Sequence, residues 1–101
     1  MPSSTALAGS GPAYLAMAAE ALADGAVNMG LKREDAQKLS QALMEGTAAV
    51  LEEFHPAVLK DMVMSPGGTT AAGCEALEEN GVRNGFMKAV RAAYERAKSL
   101  G

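Results

Sequence analysis

The stretch SGPAYLAMAAEALADGAVNMG, residues 10–30, decides the fold. Ser10 suits an N-cap, Pro12 fits the first helical turn and Gly30 fits the position just past a helix end, so the spacing predicts one helix running to Met29. Its strongly polar residues Glu20, Asp24 and Asn28 recur every fourth position as one stripe. The remainder is alanine with Leu15, Met17, Leu22, Val27 and Met29. A helix that is apolar nearly all round must be surrounded by other helices. A chain of 101 residues offers few of them, and a domain of that size buries only about 60–65% of the surface its unfolded chain exposes. The simplest cover is a second copy of the chain.

Outward from this segment the pattern stays helical. A second helix opens with Arg33, Glu34 and Asp35 and places Ala36, Leu39, Leu43, Thr47, Val50 and Phe54 at helical spacing, the face expected to meet the core. Lys38, Gln41, Glu45 and Glu52 mark its wet side. Pro56 ends the run, since the residue before a proline is pushed out of the α region, and starts a short helix carrying Val58, Leu59, Met62 and Val63. His55 is expected to cap or line that turn, and Lys60 with Asp61 to form a solvated pair. A fourth helix reaches about Glu79, where Asn80 and Gly81 stop it, and a fifth takes residues 82–100. Residues 1–8 show no period and are expected to lie outside the core as a boundary segment, leaving residues 9–101 as the helical domain. The expectation is an all-α bundle of about five helices, interlocked with a second copy.

Composition narrows the function. A net charge of −3 gives no electrostatic case for nucleic acid. No run approaches the 18–20 or so apolar residues that cross a bilayer, and the N-terminus lacks the basic and apolar blocks of a signal peptide, so a soluble cytoplasmic protein is expected. The single cysteine, Cys74, excludes an internal disulfide. With His55 the only histidine, neither a His/Cys metal cluster nor a Ser-His-Asp triad is expected. The seven methionines are scattered and read as core filler.

One loop stands apart. Met64-Ser65-Pro66-Gly67-Gly68-Thr69-Thr70 crowds a proline, two glycines and three hydroxyls between helical runs. Pro66 fixes its own φ, while Gly67 and Gly68 can take positive φ and carry no side chain to block a ligand. Bare N–H groups at the start of the following helix would then face into the loop, a seat for an anion. With no Gly-Lys-Ser/Thr after the glycines it is not a nucleotide P-loop, and a small carboxylate suits it better. The competing local reading is a tight interhelical turn in which Thr69 or Thr70 is only an N-cap. Local sequence by itself favours the second.

Taken in order, TALAGSGPAY (5–14), ALADGAV (21–27), MGL (29–31), His55-Pro56, LKDMV (59–63) and SPGGTT (65–70) resemble pyrroline-5-carboxylate reductase, and the match falls on its C-terminal helical dimerisation domain. The resemblance implies a fold like the C-terminal domain of 6-phosphogluconate dehydrogenase, a homodimer in which further association of dimers stays open, and reduction of 1-pyrroline-5-carboxylate to L-proline by NADP(H) or NAD(H). By positional match it implies that Ser65, Gly67, Gly68 and Thr69 hold the substrate carboxylate and that Thr70, the catalytic candidate, lies near the ring nitrogen. It places Glu53 near the pocket, and Val63 and Pro66 near the cofactor. No metal is implied.

The sequence departs from that family at Met64, Ala71 and Cys74, where a small or hydroxylated residue and larger aliphatics are usual. No glycine fingerprint follows a strand in these residues. The chain is therefore expected to be an excised domain or natural fragment, inactive alone and binding no nicotinamide cofactor by itself. The rivals are a non-catalytic helical dimerisation module and the helical domain of another dehydrogenase.

Overall fold

Local stop signals set the helix ends. The computed structural model describes all residues, Met1–Gly101, and contains α1 (Gly11–Asn28), α2 (Arg33–Val50), α3 (Pro56–Val63), α4 (Thr69–Glu79) and α5 (Val82–Leu100). The all-α expectation holds with five helices in the expected order, but α2 stops at Val50, short of the Phe54 expected on it, and residues 51–54 form a turn before Pro56. At the end of α1, Gly30 has φ 110°; its N–H donates to the Val27 carbonyl at 3.0 Å and the Leu31 N–H to the Ala26 carbonyl at 3.1 Å. This pair of bonds satisfies carbonyls that a helix end otherwise strands. Gly81, at φ 69°, separates α4 from α5 in the same left-handed region. No helix is long and apolar enough to cross a membrane.

The chain divides into two units. In the unit formed by Met1–Leu15 and Ala72–Gly101, the N-terminal segment differs from expectation. Pro2–Ser4 forms a helical turn and Thr5–Gly9 a π-helical stretch, closed by Ser10 N–H donating to the Thr5 carbonyl at 3.0 Å. Both pack on α5, and Ala6 is wholly buried. Residues 1–8 thus contribute to the core that patterning left them out of, because one small side chain against a helix produces no period. Ser10, at φ −92° and ψ −24°, continues the helical path and is not the extended N-cap expected. The Tyr14 hydroxyl donates to the Ala89 carbonyl at 3.3 Å. An open apolar crevice of about 440 Å³ remains, lined in part by Leu7, Pro12, Leu15, Phe86 and Val90.

In the unit Ala16–Ala71, α1 meets α2 through small residues. Ala23 and Ala36 are buried, and the buried Ser40 donates its hydroxyl to the Ala19 carbonyl at 2.8 Å, worth about 1 kcal/mol. Arg33 reaches back to Asp24 at 2.6 Å, a half-exposed pair worth no more than about 1 kcal/mol. The face of α2 expected in the core is buried only at Ala36: Leu39, Leu43 and Val50 are exposed, as is Phe54 in the turn beyond the helix. The periodicity is real. What it buries against is not supplied by this unit, and no large side chain anywhere in the chain is fully buried.

Candidate functional site

The candidate loop is entered from α3. His55 takes an extended N-cap conformation and its Nδ1 accepts from the Ala57 N–H at 3.1 Å, so the only histidine caps the helix as expected. Pro56 occupies the first helical position, where its missing N–H costs nothing. Helix α3 ends at Val63, and Met64, at φ −78° and ψ 124°, turns the chain out. Lys60 pairs with Asp61 at 3.4 Å on the exposed side.

Residues 65–68 then close a tight turn in which the Gly68 N–H donates to the Ser65 carbonyl at 3.0 Å. Pro66 and Gly67 occupy its two central positions and Gly67 has φ 67°, the pattern of a type II turn, which needs a residue tolerant of positive φ second. Gly68 has no positive φ, contrary to the flexibility expected of it. It is glycine for another reason. A Cβ there would fall against Ser65 Oγ and lie 3.3 Å from the Ser65 carbonyl oxygen. A side chain at that position would force Ser65 to adjust.

Helix α4 begins at Thr69, so its cap position falls on Gly68 and both threonines are already helical. Neither threonine hydroxyl makes a capping hydrogen bond. Thr69 is exposed and Thr70 half-buried. The first-turn N–H groups of an α-helix have no partner within it and carry the positive end of its dipole. Here they follow directly on the turn, beside the hydroxyls of Ser65, Thr69 and Thr70. No lysine or arginine belongs to residues 64–70. First-turn N–H groups and hydroxyls are the donors this segment holds.

The structure brings Ser65, Pro66, Gly67, Gly68, Thr69 and Thr70 together as one turn and helix start. Val63 stands two residues before it, exposed at the end of α3. Glu53 lies in the turn after α2, its N–H donating to the Val50 carbonyl at 3.0 Å, and no hydrogen bond or ion pair joins it to the loop. The steric role of Gly68 was missed in the sequence. A glycine three residues after a serine in a Ser-Pro-Gly-Gly run was the available signal.

Exposed apolar helix faces in one all-α chain define a helical association domain. Comparison with known proteins gives the family: the description "Pyrroline-5-carboxylate reductase dimerisation" matches residues 1–100. The chain belongs to the pyrroline-5-carboxylate reductase dimerisation family. It is 52% identical over 103 residues to pyrroline-5-carboxylate reductase of Synechocystis sp., a match covering 100% of this chain and 39% of that protein. The Thermus thermophilus enzyme is 48% identical over 97 residues, covering 96% of this chain and 37% of its own length. Among solved structures, the Coxiella burnetii pyrroline-5-carboxylate reductase superposes with a TM-score of 0.94 at 41% identity, covering 99% of this chain and 38% of that one. The Plasmodium falciparum pyrroline carboxylate reductase, solved with NADP bound, gives 0.93 at 38% identity, covering 100% and 39%. The chain thus spans about two fifths of the length of these relatives.

Proposed function

We propose that this chain is the dimerisation and substrate-binding part of a cytoplasmic pyrroline-5-carboxylate reductase, which reduces 1-pyrroline-5-carboxylate to L-proline with NADP(H) or NAD(H) in proline biosynthesis. The family membership supports the reaction and the homodimer. The observation that carries the site is the closed turn of residues 65–68 set directly before the unpaired N–H groups of α4. In this reading Ser65, Gly67, Gly68 and Thr69 supply donors to the substrate carboxylate. Thr70, half-buried one residue further along, orients the imine nitrogen through its hydroxyl, which can donate or accept. Holding the ring in one pose is the main service such residues perform, since alignment lowers the barrier without any covalent step. Val63 and Pro66 border the side from which reducing equivalents would arrive, and Glu53 belongs to the outer wall.

A nicotinamide dinucleotide does not fit the residues present. Every regular element is a helix, and the glycine turn follows a helix, whereas dinucleotide pyrophosphates sit on a glycine loop between a strand and a helix. The cofactor supplies hydride chemistry when bound, and in the proposal it is held by residues outside this helical region. Isothermal titration of the 101 residues with NADPH is expected to give no binding, and a saturable isotherm would overturn this part.

The role of Thr70 is tested by joining the chain to the cofactor domain of a relative and measuring turnover and melting temperature on one variant. Thr70→Ala is expected to lower turnover by about one to two orders of magnitude, roughly 1.4–2.7 kcal/mol of transition-state stabilisation, with the dimer intact. Normal turnover beside a lowered melting point would assign the hydroxyl to helix stability alone.

A further inference from the structure

Two helices of the unit Ala16–Ala71 hold an interior glycine that nothing within the chain requires. Gly25 lies in α1 and Gly46 in α2. Neither has a positive φ, and a Cβ added at either would meet nothing within 4 Å. Glycine is the least favourable helix-interior residue other than proline, so alanine would serve this chain better if it folded by itself.

Both glycines share one setting. Gly25 has Leu22 three positions before it and Met29 four after, 52% and 86% exposed; Gly46 has Leu43 and Val50 at the same two offsets, 51% and 36% exposed. Residues three and four apart lie on one helix face, so each glycine is a notch between two exposed apolar rims. A missing Cβ lets another backbone approach closely, and interaxial distance is set by the side chains at the point of contact. The rims carry no charge that would favour water or an ionic ligand.

We propose that Gly25 and Gly46 are the crossing points where helices of a second copy of this chain seat on α1 and α2. The second copy is the occupant because the family is a dimerisation family over residues 1–100 and no large side chain is fully buried within one chain. This rests on the homodimer reading and adds where the copies touch most closely.

Sedimentation of the unmodified chain tests the dimer; Gly25→Ala and Gly46→Ala test the crossings. With a backbone seated in each notch, the added methyl overpacks the contact, and each variant should raise the dimer dissociation constant about tenfold or more. An unchanged or lower dissociation constant with a raised melting temperature, the behaviour of a free helix face, would overturn the crossings while leaving the dimer standing. A monomeric unmodified chain would overturn both. Should an alanine variant fail to fold, NMR of the unmodified dimer with a soluble paramagnetic probe decides. The Hα signals of Gly25 and Gly46 should be shielded, and broadening as strong as at the terminal Gly101 would reject the crossings.

Discussion

Leu22→Asp should abolish the folded dimer and leave an unfolded chain, not a folded monomer. Within one chain Leu22 is 52% exposed, so an aspartate there would be harmless if the chain were stable alone. The buried set argues otherwise: it consists of Ala6, Ala23, Ala36 and Ser40, too little apolar surface to offset the entropy of ordering the backbone. Folding and association are therefore one process in the proposed dimer. An unpaired charge in its interface costs several kcal/mol, a large share of a total stability of about 5–15 kcal/mol. Circular dichroism and sedimentation on the same sample check this. A helical, cooperatively melting monomer of Leu22→Asp would show that the single chain is sufficient.

Gly68→Val should raise KM for 1-pyrroline-5-carboxylate at least about tenfold, or roughly 1.4 kcal/mol, in the chain joined to a relative's cofactor domain. The cause is local. Any Cβ at residue 68 falls against Ser65 Oγ and lies 3.3 Å from the carbonyl that accepts the Gly68 N–H, so the Ser65 side chain must turn away and the carbonyl must shift by a few tenths of an ångström. That movement takes the Ser65 hydroxyl away from its present position and would distort the proposed carboxylate seat. Serine could relieve part of the strain by changing rotamer, but its carbonyl could not. A variant with unchanged KM and an intact dimer would place the carboxylate elsewhere.

In the sequence, Thr69 and Thr70 could be caps or ligand donors, since both roles favour a hydroxyl at a helix start, and local sequence leaned towards caps. The start of α4 at Thr69 moves the cap onto Gly68 and leaves the threonines inside the first turn. Gly67 and Gly68 looked interchangeable as flexible residues, yet one is needed for its dihedral and the other for its missing side chain.

The order of the five main helices and most of their stops were legible in the sequence because their signals are local, while the start at Ser10 and the end of α2 at Val50 were not. Gly30, Pro56 and Gly81 act on the backbone within a few residues of themselves, and His55 caps α3 from the adjacent position. The composition of residues 65–70 marked a turn between helices for the same reason, and only the family resemblance tipped the reading towards a ligand there. Tertiary structure alone decided which faces are buried. Leu39, Leu43 and Val50 keep perfect helical spacing yet remain exposed, and Ala6, in a segment without any period, is wholly buried. Periodicity records that a face avoids water. It carries no information on whether the cover comes from the same chain or from another, since the transfer of apolar surface out of water is non-directional.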